Sequence, residues 1–163
     1  TMHQGVLIEE YIQGVEVPIG LIGNSHDLTV LPPLEIKYSG KTRTNTYEHK
    51  QDKEIFHCPA RLPEETLEQL CAAAKNAYVS LGARDFGRVD FIYDPVAKLP
   101  YALELNTFAG LQILTTDEVH LHQSYIGKMS TTIGWSSKDL FRRLLASCLD
   151  RISQEYADES ADN

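Results

Sequence analysis

Two alternating segments, Arg88-Val89-Asp90-Phe91 and Leu103-Glu104-Leu105-Asn106, constrain this chain more than any other feature. Polar and apolar residues that alternate with period two make a strand with one wet face and one packed face. Arg88 and Asp90 then share a face, as do Glu104 and Asn106, while Val89, Phe91, Leu103 and Leu105 point the other way. The intervening Tyr93-Asp94-Pro95-Val96-Ala97-Lys98-Leu99-Pro100 is rich in turn residues and suits a connection between antiparallel neighbours. If the two strands pair, a guanidinium, two carboxylates and an amide oxygen converge on one surface. Like charges opposed across a sheet are destabilising without compensation, and a hard divalent cation that takes oxygen ligands would supply it. Two plainer readings stand beside this one: Arg88 pairs with the carboxylates, or the acids form the solvated face of an amphipathic hairpin.

The rest of the chain frames that hairpin. Val15 to Ile22 is strand-like, Gly23 to Asp27 reads as a turn, and Leu28 to Leu34 with Glu35-Ile36 reads as the returning strand. Ser39 to Glu54 is polar, with charges of both signs and no apolar period. A stretch like this inside a domain is usually disordered or a functional lid. A helix is predicted from Pro63-Glu64-Glu65, with Leu67, Leu70, Cys71, Ala74, Tyr78 and Leu81 as its stripe and Gly82 as its stop. Asn106 to Ile133 is irregular, broken by Gly110 and Gly127. A last helix begins near Ser136-Ser137-Lys138-Asp139, with Leu140, Leu144, Leu145, Cys148, Leu149 and Ile152 as its apolar face. The order of elements predicts α+β with an antiparallel sheet and flanking helices. A single domain over 1–157 and an acidic, frayed tail over 158–163 complete the expected organisation.

With 163 residues and a net charge of −8, the chain lacks the basic balance of a general nucleic-acid binder. Its three cysteines, Cys58, Cys71 and Cys148, fit no zinc spacing and suit a reducing compartment. With no apolar run of membrane-spanning length, cytoplasmic is the expected location and no membrane partner is expected. His120 and His122 lack a third zinc ligand at a suitable spacing. No P-loop, dinucleotide fingerprint or nucleophile elbow occurs.

From about Val6 to Leu111 the chain resembles the C-terminal portion of the ATP-grasp family, most closely its D-alanine-D-alanine ligase group. Four landmarks carry the resemblance, in the family's order. Glu9-Glu10-Tyr11-Ile12-Gln13-Gly14-Val15-Glu16 resembles the linker that grips adenine and ribose, and Tyr47-Glu48-His49-Lys50 resembles the lid with its phosphate-binding lysine. Pro59-Ala60-Arg61-Leu62-Pro63-Glu64 resembles the lead-in to the family's helix, and the hairpin resembles its catalytic arginine and metal signature. The resemblance implies ATP with Mg2+ or Mn2+ as cofactors, and ligation of two D-alanines or similar small amino or hydroxy acids through an acyl phosphate, for cell-wall precursors.

The resemblance further implies Arg88 and the Gly110 backbone as catalytic groups and Asp90, Glu104 and Asn106 as metal ligands. Glu9, Glu10, Tyr11, Ile12, Glu16 and Lys50 would contact the nucleotide. The 39–54 segment would be a mobile lid. Gln51, Phe108-Ala109 and Thr115-Thr116 depart from the family's pattern, all on the side of the second substrate. Such ligases are about twice this length, so the expected partners are an amino-acid substrate and the missing N-terminal part of the same enzyme, with the intact enzyme a homodimer. Thr1-Met2-His3 looks like a cloning scar, which favours an excised, inactive fragment over a standalone remnant. Two alternatives remain: a non-catalytic nucleotide-binding or interaction module, and an ATP-grasp ligase of other specificity.

Overall fold

The structure, a computed structural model, describes residues 5–6, 8–24, 26–38, 54–113 and 123–161. Strands β1 (Val15–Ile22), β2 (Thr29–Val30), β3 (Glu35–Tyr38) and β4 (Glu54–His57) precede helix α1 (Glu64–Ser80). Strands β5 (Phe86–Asp94) and β6 (Leu99–Asn106) follow, then helices α2 (Tyr125–Thr132) and α3 (Ser137–Ala161). One antiparallel sheet runs β4-β3-β1-β5-β6, with the short β2 pairing the far end of β1. The expected α+β architecture with flanking helices is the one observed.

β1 lies at the middle of the sheet and is apolar on both faces because helices cover both. Val17, Ile19 and Leu21 join Val89, Phe91 and Tyr93 of β5 in one core, closed by Leu70, Ala74 and Tyr78 of α1. Ile22, Leu31, Leu34 and Ile36 join Ile126 and Met129 of α2 and Leu140 and Leu144 of α3 in a second core on the opposite side. On the side of the second core, residues of β1 and β5 with the parity of Gly20 and Arg88 face α2. A Cβ on Gly20 would meet the Met129 sulfur at 3.2 Å and Ile126 at 3.3 Å, so the sheet and α2 are in direct contact there.

The helix ends follow local chemistry. α1 starts after Pro63 with Glu64 and Glu65 in its first turn, and Gly82 stands beyond its end at φ +69°, a left-handed value that favours glycine. α3 is opened by a reciprocal cap. The backbone N–H of Asp139 donates to the Ser136 hydroxyl at 3.2 Å, and the backbone N–H of Ser136 donates to the Asp139 carboxylate at 3.0 Å.

Several sequence expectations change. The returning strand is split, because Leu31-Pro32-Pro33-Leu34 interrupts it between β2 and β3. Proline supplies no ladder donor, so a continuous strand through that pair is disfavoured. β4 and α2 are elements that no apolar period announced. Leu81, expected on the α1 stripe, is 68% exposed at the cap, while Thr66 is buried in its first turn. On α3, Leu145 and Leu149 face solvent, and Ser147 takes the buried position between Leu144 and Cys148. The helix also continues to Ala161, past the point where fraying is expected. Among the described residues no helix is long and apolar enough to cross a membrane.

Candidate active site

Pairing of β5 with β6 assembles the site. The register places Arg88 opposite Asn106 and Asp90 opposite Glu104, so all four lie on the α2 side of the sheet. Their neighbours Val89 and Leu105 are also paired and pack toward α1. The ladder skips Leu103, with Glu104 opposite Asp90 and Ala102 opposite Phe91. Leu103 therefore sits at an irregularity and is exposed, although alternation alone places it with Leu105. An extra residue of this kind turns the strand locally, here directly beside Glu104.

Asp90 is buried, and its partner is unambiguous. Arg88 Nε donates to Oδ1 at 2.6 Å and a terminal guanidinium nitrogen donates to Oδ2 at 2.7 Å, a two-pronged ion pair. Here the compensation for the crowded acids is Arg88, as one of the plainer sequence readings has it. Burial works against the charged guanidinium, but the Asp90 hydrogen bonds and the charges of Asp90, Tyr125 and Glu104 outweigh it and hold the Arg88 pKa above its ordinary value. Glu104 is exposed. Asn106 is half-buried, and its Oδ1 accepts from the backbone N–H of Phe108 at 3.0 Å, which fixes the start of the following loop.

α2 supplies what the sequence reading missed. The Arg88 guanidinium lies 5.0 Å from the centroid of the Tyr125 ring, within cation–π range. Tyr125 in turn lies 5.7 Å from Phe56 of β4, and Lys128 Nζ stands 4.4 Å over Phe56. The floor of the site thus runs from β4 through α2 to β5. The one legible signal for α2 was Ser124, whose hydroxyl accepts from the Gly127 backbone at 3.0 Å as an N-cap. The loop holding Gly110 docks on the same cap: Ser124 N and Oγ both donate to the Gln112 carbonyl, each at 3.1 Å.

The remaining expected residues are distributed as follows. Glu16, half-buried on β1, shares the α2 side with Arg88 and Asp90, one strand across. Gly110 is exposed in the loop after β6, with its backbone against Ser124. Glu9, Glu10 and Tyr11 are exposed and Ile12 is half-buried in the irregular run that leads into β1. Lys50, Gln51 and all but Glu54 of the 39–54 lid lie outside the described residues, as do Thr1 to His3, Thr115-Thr116, and His120 with His122. Chemically, the assembled face offers a permanent, planar cation beside two carboxylates and an amide oxygen. Such a set can brace an anionic oxygen and bind a hard cation.

The family model described as D-ala D-ala ligase C-terminus matches residues 1–146. A D-alanine–D-alanine ligase of Bordetella pertussis is 32% identical over 149 residues, covering 90% of this chain and 43% of the relative. Its counterpart in Carboxydothermus hydrogenoformans is 39% identical over 108 residues, covering 65% of this chain and 34% of the relative. Among solved structures, the VanG D-Ala:D-Ser ligase of Enterococcus faecalis superposes with a TM-score of 0.65 at 28% identity, over 84% of this chain and 37% of that one. A Bacillus anthracis D-alanine–D-alanine ligase complexed with ATP shares the fold at a TM-score of 0.67 and 21% identity, over 90% of this chain and 42% of that one. The chain spans less than half the length of these relatives.

Proposed function

The chain belongs to the family of the D-Ala-D-Ala ligase C-terminus, and from that membership we propose that it forms the metal-holding part of an ATP-dependent, ADP-forming carboxylate–amine ligase. The observation that carries this reading is the register that sets Arg88, Asp90, Glu104 and Asn106 on one face of β5 and β6. The proposed reaction joins two D-alanines, or D-alanine and a similar small amino or hydroxy acid, through an acyl phosphate. The product would serve cell-wall precursors in the cytoplasm. Likeness to a D-Ala:D-Ser ligase keeps the second substrate open within that class.

The donor set fits a hard divalent cation, because Asp90 and Glu104 are carboxylates set opposite each other and, among the described residues, the Arg88 guanidinium is ion-paired with Asp90 while Glu104 is exposed. Asp90, Glu104 and Asn106 would hold Mg2+ or Mn2+, which when bound neutralises charge on the nucleotide phosphates. Arg88 would brace the charge that develops on the transferring phosphoryl and on the tetrahedral species formed by the amine. A planar, always-charged fork suits that task. The Gly110 backbone N–H would donate to the same oxyanion. Glu16 would accept from the ribose hydroxyls. Glu9 would accept from the adenine amino group, with the backbones of Glu10 and Ile12 on the adenine edge and Tyr11 alongside. Lys50 would place a flexible positive charge on phosphate.

The N-terminal remainder of such an enzyme would supply further phosphate-binding lysines and the first substrate's pocket. The test is therefore calorimetry with Mg2+ and a non-hydrolysable ATP analogue on a protein carrying both parts. Glu104→Gln should weaken the metal-dependent part of nucleotide affinity and leave adenosine affinity intact. Unchanged metal dependence would remove Glu104 from the site. The 163-residue chain alone should bind nucleotide weakly and release no ADP with D-alanine present. Sustained ADP release would show that the remainder is dispensable.

A further inference from the structure

Two carboxylates and an imidazole stand together where the turn after β1 meets α3. One ligating atom each of His26, Asp27 and Asp150 lies within 4.8 Å of the other two, and all three residues are exposed. The arrangement is held from beneath. Buried Asn24 donates through Nδ2 to the Ser147 carbonyl at 3.1 Å and to its hydroxyl at 2.8 Å, which clamps the turn onto α3. Asp150 follows Ser147 by three residues and so comes round to the same side of the helix. Gly23, at φ +114°, lets the turn close, since a Cβ there would stand 2.9 Å from the Asp27 carbonyl oxygen. The Asn24 backbone N–H donates to Asp27 Oδ1 at 2.8 Å, which fixes the direction of that carboxylate.

Local charge favours a cation at this point. Arg84 and Arg151, which line the neighbouring cleft, are engaged by Glu155 and Asp85. None of the ion pairs among the described residues includes Asp27 or Asp150. Two carboxylates therefore face each other without a counter-charge, an arrangement that a bound cation relieves. The imidazole narrows the kind of cation. A nitrogen donor beside two carboxylate oxygens suits Zn2+ and its transition-metal neighbours, whereas Mg2+ takes oxygen ligands. Zinc bonds of about 2.1 Å put tetrahedral ligand atoms roughly 3.4 Å apart, a closure that rotation of exposed side chains can make. His26 also lines a cleft of about 350 Å³ between the end of α1 and α3, which leaves room for water at the fourth position.

We propose that His26, Asp27 and Asp150 form a binding site for a divalent transition metal of the Zn2+ class, which ties the turn after β1 to α3. The site stands apart from the hairpin: Ile22, the last residue of β1, pairs with Phe86, four pairs along the ladder from Asp90. The inference does not rest on the ligase reading. Calorimetric titration of the full 163-residue chain with Zn2+, in excess Mg2+ to compete at oxygen-only sites, tests it. One equivalent should bind in the micromolar range. His26→Ala and Asp150→Asn should each weaken that binding by about tenfold or more, since loss of even a ligand's supporting partner costs that much. Both positions are exposed, so urea midpoints without metal should match the wild type. Added Zn2+ should raise the wild-type midpoint and leave those of the two variants unmoved. Absence of stoichiometric Zn2+ binding, an affinity unchanged in either variant, or loss of the same binding in Glu104→Gln would each overturn the proposal.

Discussion

Arg88 occupies both carboxylate oxygens of Asp90, at 2.6 and 2.7 Å, with each side chain at least 85% buried. Phosphate and metal would therefore have to divide a pair that already satisfies itself. An incoming phosphate would draw the guanidinium away, and the carboxylate it left would be released for a cation. The two ligands would then be coupled through one ion pair, and each should bind better in the presence of the other.

The first prediction concerns that coupling. Arg88→Gln frees Asp90 and removes a nearby positive charge. Mn2+ affinity measured by electron paramagnetic resonance without nucleotide should therefore rise, and the gain in metal affinity on adding nucleotide should shrink. Asp90→Asn should act differently, because it leaves a buried guanidinium without its counter-charge. Breaking a buried pair from one side costs about 3–5 kcal/mol, readable in a urea melt. Glu104→Gln, at an exposed position, should be close to neutral in the same melt.

Tyr125 should matter through its ring. At 5.0 Å from the Arg88 guanidinium, a partly buried cation–π contact is worth about 1 kcal/mol. Tyr125→Leu should lose that in a denaturant melt and should alter the Arg88 Nε–H resonance in NMR spectra. Tyr125→Phe keeps the face of the ring and should retain most of both. Equal loss in the two variants would mean that the ring's position over Arg88 is incidental.

The hairpin was legible because a strand's period is short and its polar residues are few. Val89 and Leu105 facing one way and Arg88, Asp90, Glu104 and Asn106 the other follow from alternation alone, whereas the irregularity at Leu103 breaks that alternation and is invisible to it. α1 was legible for the same kind of reason. α2 was not, because Gly127 in its first turn reads as a breaker. The glycine is there for packing: a Cβ would stand 1.9 Å from the Gln112 carbonyl oxygen. The partnership of Tyr125 with Arg88 was hidden with it, since nothing in sequence brings residues on separate elements together. On α3 the apolar arc is wider than the sheet can cover, so periodicity assigned Leu145 and Leu149 to a core they do not enter.

That packing reason makes Gly127→Ala a test of how the Gly110 loop is held. The clash is with backbone, at 1.9 Å to the Gln112 oxygen and 2.8 Å to its carbon, so a side-chain shift cannot relieve it. Either α2 or the loop must move, at about 1–3 kcal/mol for overpacking, and Ser124 loses its grip on Gln112. Amide hydrogen exchange should speed up at Ser124, whose N–H donates to Gln112, while α1 stays protected.

The last prediction lies away from the site, where Glu35 is buried beneath Arg61. The Arg61 side chain donates to both Glu35 oxygens and its backbone N–H to one of them, all at 3.0 Å, with Lys37 at 3.6 Å. The Arg61 side-chain hydrogen bonds, opposed by burial and aided by the backbone bond and the two cations, lower the Glu35 carboxyl from 4.5 to about 2. A carboxyl with a folded pKa below its unfolded one stabilises fully above the unfolded value. That contribution is lost as pH falls through 4.5 toward 2. At about 1.4 kcal/mol per pH unit, and reduced because Arg61 is half exposed, the contribution is about 2 kcal/mol. Urea midpoints should therefore fall between pH 5 and pH 2 more steeply for the wild type than for Glu35→Gln. Parallel pH profiles would mean that the Glu35–Arg61 pair contributes nothing to acid sensitivity.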